Sequence, residues 1–225
     1  MMLKTPLQGI LFDFDGLIVD TETPIFQAWQ DMFREHGQEL LLEEWGKILG
    51  KSGKETGPID NFFQAINKKN EQQAIMKEVS RRELEQVVKQ KPLPGVEKLI
   101  KKAKEHGLKL GIVSSSDQNW VHTHLKRLGL LEYFNHTSCI DEVVEAKPDP
   151  SLYHLGLKKM AAAPEKVIVL EDSPNGVLAA KRAGLFCIAV PNELTRKLPF
   201  FSNGGTPDMV LESLASFPWD KFMKE

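Results

Sequence analysis

Two carboxylates one residue apart, in Asp13-Phe14-Asp15-Gly16, follow directly on the apolar run Gly9-Ile10-Leu11-Phe12. Acids on alternate strand-like positions point the same way, so one can attack an electrophile while its neighbour moves protons. A short apolar run before a glycine turn reads as a buried strand that ends where the acids begin. The carboxyl edge of such a strand is where open α/β sheets bind ligands. Asp and Gly also populate ordinary turns, so the pair needs company before it signifies catalysis.

Three later segments supply that company. Ser114-Ser115-Ser116 follows Gly111-Ile112-Val113, Glu171-Asp172-Ser173 follows Val167 to Leu170, and Lys147-Pro148-Asp149 lies in a loop before a helix. Ser114 and the backbone N–H groups near a helix start can hold phosphate oxygens; a plain helix cap explains the same serine. Lys147 can neutralise a phosphoryl group as a point charge, although most lysines only solvate a surface. Glu171 and Asp172 are hard oxygen ligands suited to Mg²⁺, or else a polar cap ahead of Pro174. In a parallel sheet these loops converge on the edge that carries Asp13. Asp20 and Glu22 read as turn or linker residues without chemistry. The histidines show no ligand pairing, since His122 and His124 fall on different sides of one helix. Gly50-Lys51-Ser52 lacks the upstream glycine and the preceding strand of a nucleotide-binding loop, which excludes that reading.

The elements that must position these groups fall into two regimes. The first strand spans 9–14, and Thr23-Pro24 opens a helix with Ile25, Phe26, Trp29, Met32 and Phe33 on one face. A second helical pattern runs through Ile75, Met76, Val79, Leu84, Val87 and Val88, with Leu49 to Lys54 as a loop between them. After Pro92-Leu93-Pro94-Gly95, helix and strand alternate. A helix over 95–106 stops at Gly107, a strand runs from Leu108 to Val113, and Ser116 or Asp117 opens the next helix. Another helix starts at Asp149-Pro150; strands run over 167–170 and 185–190, flanking a helix capped by Ser173-Pro174 and ended by Gly184. This alternation predicts an α/β fold with a doubly wound parallel sheet. The lone first strand must join it. Residues 1–20 and 91–225 therefore read as one core, with an all-helical domain, residues 21–90, inserted through linkers near Thr21 and Pro92.

A formal net charge of −2 gives no global attraction to nucleic acid or anionic membrane. Lys101, Lys102 and Lys104 are the solvated face of a helix whose other side carries Val96, Leu99, Ile100 and Ala103. Cys139 and Cys187 form neither zinc spacing nor a disulfide framework, which favours a reducing compartment. No stretch reaches the length of a membrane span, and the start lacks a secretory apolar segment. The expectation is a cytoplasmic protein whose partner is a small molecule.

Leu11-Phe12-Asp13-Phe14-Asp15-Gly16-Leu17-Ile18-Val19-Asp20-Thr21-Glu22, Val113-Ser114-Ser115-Ser116, Lys147-Pro148-Asp149-Pro150 and Leu170-Glu171-Asp172-Ser173-Pro174-Asn175-Gly176 resemble, in order, the four motifs of the haloacid dehalogenase superfamily. The likeness is greatest to its phosphatases and β-phosphoglucomutases with a helical cap. It runs from about residue 8 to 191; the segment from Asn192 onward carries no motif.

The resemblance implies a Rossmann-like core and a role for each motif residue. Asp13 is the implied nucleophile, and Asp15 the acid that protonates the leaving oxygen and later activates water. Ser114, with Ser115, and Lys147 are the implied phosphate-binding groups. Mg²⁺ is implied at the Asp13 carboxylate, the Asp15 backbone carbonyl and Asp172, with Glu171 as a direct or outer ligand. The helical insert is the implied lid. The activity is then Mg²⁺-dependent hydrolysis of a small phosphorylated metabolite such as a sugar phosphate. Dehalogenases and phosphonate hydrolases lack the second aspartate, so Asp15 argues against both.

The rival is a β-phosphoglucomutase-type isomerase. Its cap-linker histidine matches Ile25, and its distal-phosphate arginine falls near Gly53, with only Lys51 and Lys54 nearby. A non-catalytic binding protein that keeps the fold would have lost a motif acid, and none is lost.

Overall fold

The computed structural model describes residues 3, 6–49, 57–67, 69–198 and 205–223. Strands β1 (Gly9–Phe12), β2 (Lys109–Val113), β3 (His136–Ser138), β4 (Val167–Glu171), β5 (Phe186–Ala189) and β6 (Met209–Val210) form one parallel sheet. Their order is β3-β2-β1-β4-β5-β6. The chain winds outward from β1 in one direction and from β4 in the other. A crevice therefore opens at the carboxyl ends of these two strands.

Helices α1 (Glu22–Glu35), α2 (Leu42–Gly46), α3 (Gly57–Ile66) and α4 (Gln72–Val87) lie between β1 and β2 in the chain. Helices α5 (Val96–Glu105), α6 (Gln118–Arg127), α7 (Ser151–Met160), α8 (Pro174–Arg182) and α9 (Trp219–Phe222) follow. Among the described residues, no helix is long and apolar enough to cross a membrane.

The pleat sorts the apolar strand residues to two faces. Ile10, Phe12, Leu110, Ile112, Ile168, Leu170 and Ile188 pack with Val96, Leu99, Ile100 and Ala103 of α5 and Val121 and Leu125 of α6. Leu11, Val113, Val167, Val169, Cys187 and Ala189 pack with α7 and α8 on the other face. Each fully buried Leu, Ile or Phe contributes roughly 1.5–3 kcal/mol. A sheet covered on both faces this way can hold charged loops rigidly at its edge.

The helices between β1 and β2 have a core of their own, rich in Phe26, Trp29, Phe33, Trp45, Phe62 and Phe63. Phe33 and Phe62 stack at 4.4 Å. Leu194 and Leu198, from the loop after β5, insert into this cluster.

Several local readings are corrected by the structure. The first strand ends at Phe12 rather than at residue 14: Asp13 N–H still donates to Leu170 O at 2.9 Å, but Gly16 then turns the chain at φ +80°. A Cβ at Gly16 would lie 2.3 Å from an Asp172 carboxylate oxygen, so glycine is required there. Helix α1 begins at Glu22, before Thr23, and Asp20 supplies the capping oxygen to Thr23 N–H at 3.0 Å. The helix at 149–150 starts at Ser151, whose N–H donates to the Asp149 carboxylate. Strands β3 and β6 and helices α2, α3 and α9 join the predicted set. The loop reading of Gly50 to Lys54 lies outside the described residues.

Candidate active site

Asp13 leaves the end of β1 and is buried. Lys147 arrives from the loop before α7, and its ammonium donates to Asp13 Oδ1 at 2.5 Å, to Glu171 Oε1 at 2.6 Å and to the Val113 carbonyl at 2.9 Å. Three strand ends are thus tied together through one nitrogen. Burial alone would lower the Lys147 pKa, but Asp13 and Glu171 outweigh it and hold the ammonium charged.

Glu171, the last residue of β4, is fully buried with both oxygens occupied. Oε1 accepts from Lys147 and from the Tyr153 hydroxyl at 2.6 Å; Oε2 accepts from Asp172 N–H at 3.1 Å and from Ser173. A Cβ at Gly176 would strike the Glu171 carboxyl at 2.0 Å, which explains a glycine in the first turn of α8. Asp172 Oδ2 accepts from Asn192 Nδ2 at 2.8 Å, and the same amide donates to the Gly16 carbonyl.

Asp13, Glu171 and Asp172 each offer an oxygen within 4.8 Å of the others. The crowding shows in the acidity of Asp13 and Asp172. Burial, then Glu171, pushes the Asp13 carboxyl up to about 8 against the pull of Lys147. Burial, then Asp13 and Glu171, pushes Asp172 well above the carboxylate range. Three buried carboxylates, two of them paired with one ammonium and all hard oxygen donors, fit a divalent cation such as Mg²⁺.

Asp15 has a separate set of partners. Oδ1 accepts from the Thr21 hydroxyl at 2.7 Å and from Trp120 Nε1 at 2.9 Å. Oδ2 accepts from Ser116 Oγ at 2.7 Å and from Ser114 Oγ at 3.2 Å. Ser114 is buried at the end of β2, while Ser115 is half-buried in the turn toward α6. The structure thus brings Asp13, Lys147, Glu171 and Asp172 into one cluster and joins Asp15 to Ser114 beside it. Chemically, the arrangement offers a nucleophilic carboxylate, a second carboxylate for proton transfer and a cation fixed between strand ends.

Residues 10–190 match the family of haloacid dehalogenase-like hydrolases. The chain belongs to that family. YhcW of Bacillus subtilis strain 168, named as a phosphatase, is 41% identical over 194 residues, 86% of this chain and 88% of that protein. The phosphorylated carbohydrates phosphatase of Thermotoga maritima is 32% identical over 182 residues, 80% of this chain and 82% of that one. Among solved structures, CbbY from Rhodobacter sphaeroides in complex with phosphate superposes with a TM-score of 0.72 at 29% identity, covering 93% of this chain and 96% of that one. The chain is thus a haloacid dehalogenase-like hydrolase whose relatives are named as phosphatases.

Five further residues beside these acids carry no role in the reading of the sequence. Tyr153 sits on the apolar face of α7 and reads as core. Trp120 does the same on α6. Thr21 reads as linker. Asn192 had a positional signal, since it lies just past the carboxyl end of β5 on the edge that carries Asp13. Glu22 faces the site from α1: burial, then Asp15 and Asp13, pushes its carboxyl well above the usual range.

Proposed function

We propose that this phosphatase hydrolyses monoesters of small phosphorylated metabolites, sugar phosphates among them, in a Mg²⁺-dependent reaction through an aspartyl-phosphate on Asp13. The observation that carries the reading is the Lys147 ammonium, held at 2.5 Å from Asp13 and 2.6 Å from Glu171 where three strands end. An Asp13 oxygen bonds to phosphorus as the ester oxygen leaves with a proton from Asp15. Asp15 then takes a proton from water, which attacks phosphorus and frees Asp13 and inorganic phosphate. Ser114, Ser115 and Lys147 hold the phosphoryl oxygens.

The Asp13 and Asp172 carboxylates and the Asp15 carbonyl would hold Mg²⁺, which when bound offsets charge on the transferring phosphoryl group. Glu171 has partners on both oxygens, which favours the outer of its two implied roles: it positions Lys147 and the Asp172 backbone. Cys139 and Cys187 are buried free thiols, in keeping with the cytoplasm as its compartment.

Residues 21–90 serve in this reading as a lid over the crevice. Substrate binding should then slow hydrogen exchange near Thr21 and Pro92 while β1, β2 and β4 change little. Uniform exchange with and without substrate would remove the lid from the mechanism.

Hydrolysis is favoured over phosphoryl return to a sugar by Ile25. That side chain is half-buried and packs against the helical cluster, and it has no donor or acceptor with which to couple closure to Asp15. Gly53, Lys51 and Lys54, the other positions that bear on a mutase, lie outside the described residues. A turnover screen of phosphorylated metabolites with Mg²⁺, reading both free phosphate and isomerised product, tests the proposal. With β-glucose 1-phosphate and catalytic glucose 1,6-bisphosphate, phosphate should appear faster than glucose 6-phosphate. Many turnovers of glucose 6-phosphate with little free phosphate would replace the phosphatase by the mutase.

A further inference from the structure

Two connections between the helical block and the sheet layer end on Asp15. The first is direct, through the buried Thr21 hydroxyl at 2.7 Å. The second runs along α6. The Arg127 guanidinium, on the last residue of that helix, donates to the carbonyls of Val87 at 3.3 Å, Val88 at 3.0 Å and Gln90 at 2.8 Å. These carbonyls end α4, which has no basic residue in its own last turn. Helix C-termini leave such acceptors unpaired and favour a cation, and here a helix of the sheet layer supplies it.

Arg127 Nε also donates to His124 Nδ1 at 3.3 Å. His124 is buried, and its ring meets the Trp120 ring edge-on at 4.3 Å. Trp120 closes the chain of contacts by donating its indole N–H to Asp15 Oδ1 at 2.9 Å. One helix therefore grips the outgoing linker at one end and the Asp15 carboxylate at the other.

A carboxylate has about four lone-pair sites, and Thr21, Trp120, Ser114 and Ser116 take up all of them. The orientation of Asp15 is thus set by its donors, and the indole is the one with a mechanical link to α4. We propose that Trp120 is a positioning residue for Asp15, and that Arg127 acts through His124 to hold the indole in register with the end of α4. The inference rests on the reading of Asp15 as proton donor and base.

The test exploits leaving groups. Proton donation matters for an alkyl phosphate and little for p-nitrophenyl phosphate, whose leaving group is already acidic. Trp120→Phe keeps an aromatic ring beside His124 but deletes the N–H together with the second ring. It should slow phosphoenzyme formation from an alkyl phosphate on the order of ten-fold, the scale of one hydrogen bond to a charged group, and leave formation from p-nitrophenyl phosphate within about two-fold, both read by rapid quench. Arg127→Gln, on an exposed residue, should give the same leaving-group-selective loss in smaller measure. Arg127→Lys should recover part of it. The double variant should lose no more than Trp120→Phe alone, because both changes act on one contact chain.

Equal losses on both substrates would make Trp120 merely structural and overturn the proposal, as would additive losses in the double variant. Asp15→Asn separates the two layers of the argument. If it leaves both substrates untouched, the reading of Asp15 fails; if it is selective and Trp120→Phe is silent, only the relay fails.

Discussion

Asp13→Asn is expected to abolish turnover of every phosphate ester, a loss of at least about 10⁴-fold, because it removes the atom that accepts the phosphoryl group. The amide is nearly isosteric and leaves Lys147 its bonds to Glu171 and Val113, so the fold should survive. Asp15→Asn should behave differently. It keeps the nucleophile and loses proton transfer, a contribution of about 10²–10⁴-fold, concentrated in substrates with poor leaving groups. With p-nitrophenyl phosphate it should still form phosphoenzyme, which then breaks down slowly because water has lost its base. Rapid quench and intact mass measurement distinguish the two variants: a phosphoryl increment builds up in Asp15→Asn and is absent in Asp13→Asn. Mild, equal losses in both would mean that the two acids only brace the loop after β1.

The contrast between these aspartates shows what the sequence makes legible. Asp13, Ser114 and Glu171-Asp172 stand out because each follows an apolar run that has to be a central strand, and a parallel sheet brings such ends together. Gly107 and Gly184 end helices where the pattern places them, at φ +71° and +73°. Strands β3 and β6 escape because they hold three and two residues, too few for a period to register, and His136-Thr137-Ser138 is polar throughout. Alternate spacing suggests that Asp13 and Asp15 serve one reaction in different roles. What the spacing does not show is that each has its own partners, Lys147 for one and Thr21, Trp120, Ser114 and Ser116 for the other. Trp120 and Tyr153 were hidden for a different reason. Each is an amphipathic ring on the buried side of a helix, where the apolar body satisfies the helical pattern and only the tertiary fold reveals what the polar tip reaches.

Stripping divalent cations with a chelator is expected to abolish turnover and to lower the melting temperature, with Mg²⁺ restoring both. In the unfolded chain an aspartate titrates near 4, whereas burial and Glu171 hold folded Asp13 near 8, and burial with Asp13 also raises Asp172 well above its usual range. A carboxyl whose pKa is raised by folding contributes its stability below the unfolded value and loses it as pH rises through the folded one. The chelated protein should therefore weaken steadily between about pH 4 and pH 8. A bound dication supplies the charge that Lys147 alone cannot, so the same carboxylates become favourable when ionised. At Mg²⁺ a hundredfold above its Kd, mass action adds about 2.7 kcal/mol, or about 5–10 °C for a chain of this size. The gain should be larger at pH 8 than at pH 5, where protons compete for the ligands. Asn192→Ala, which deletes the donor to Asp172 Oδ2, should weaken Mg²⁺ binding by about ten-fold or more while leaving Asp13 in place. Melting curves at the two pH values, with and without Mg²⁺, check the sign. A shift independent of pH, or full turnover in the chelated protein, would mean that Lys147 alone balances the cluster and that the crowded acids bind no metal.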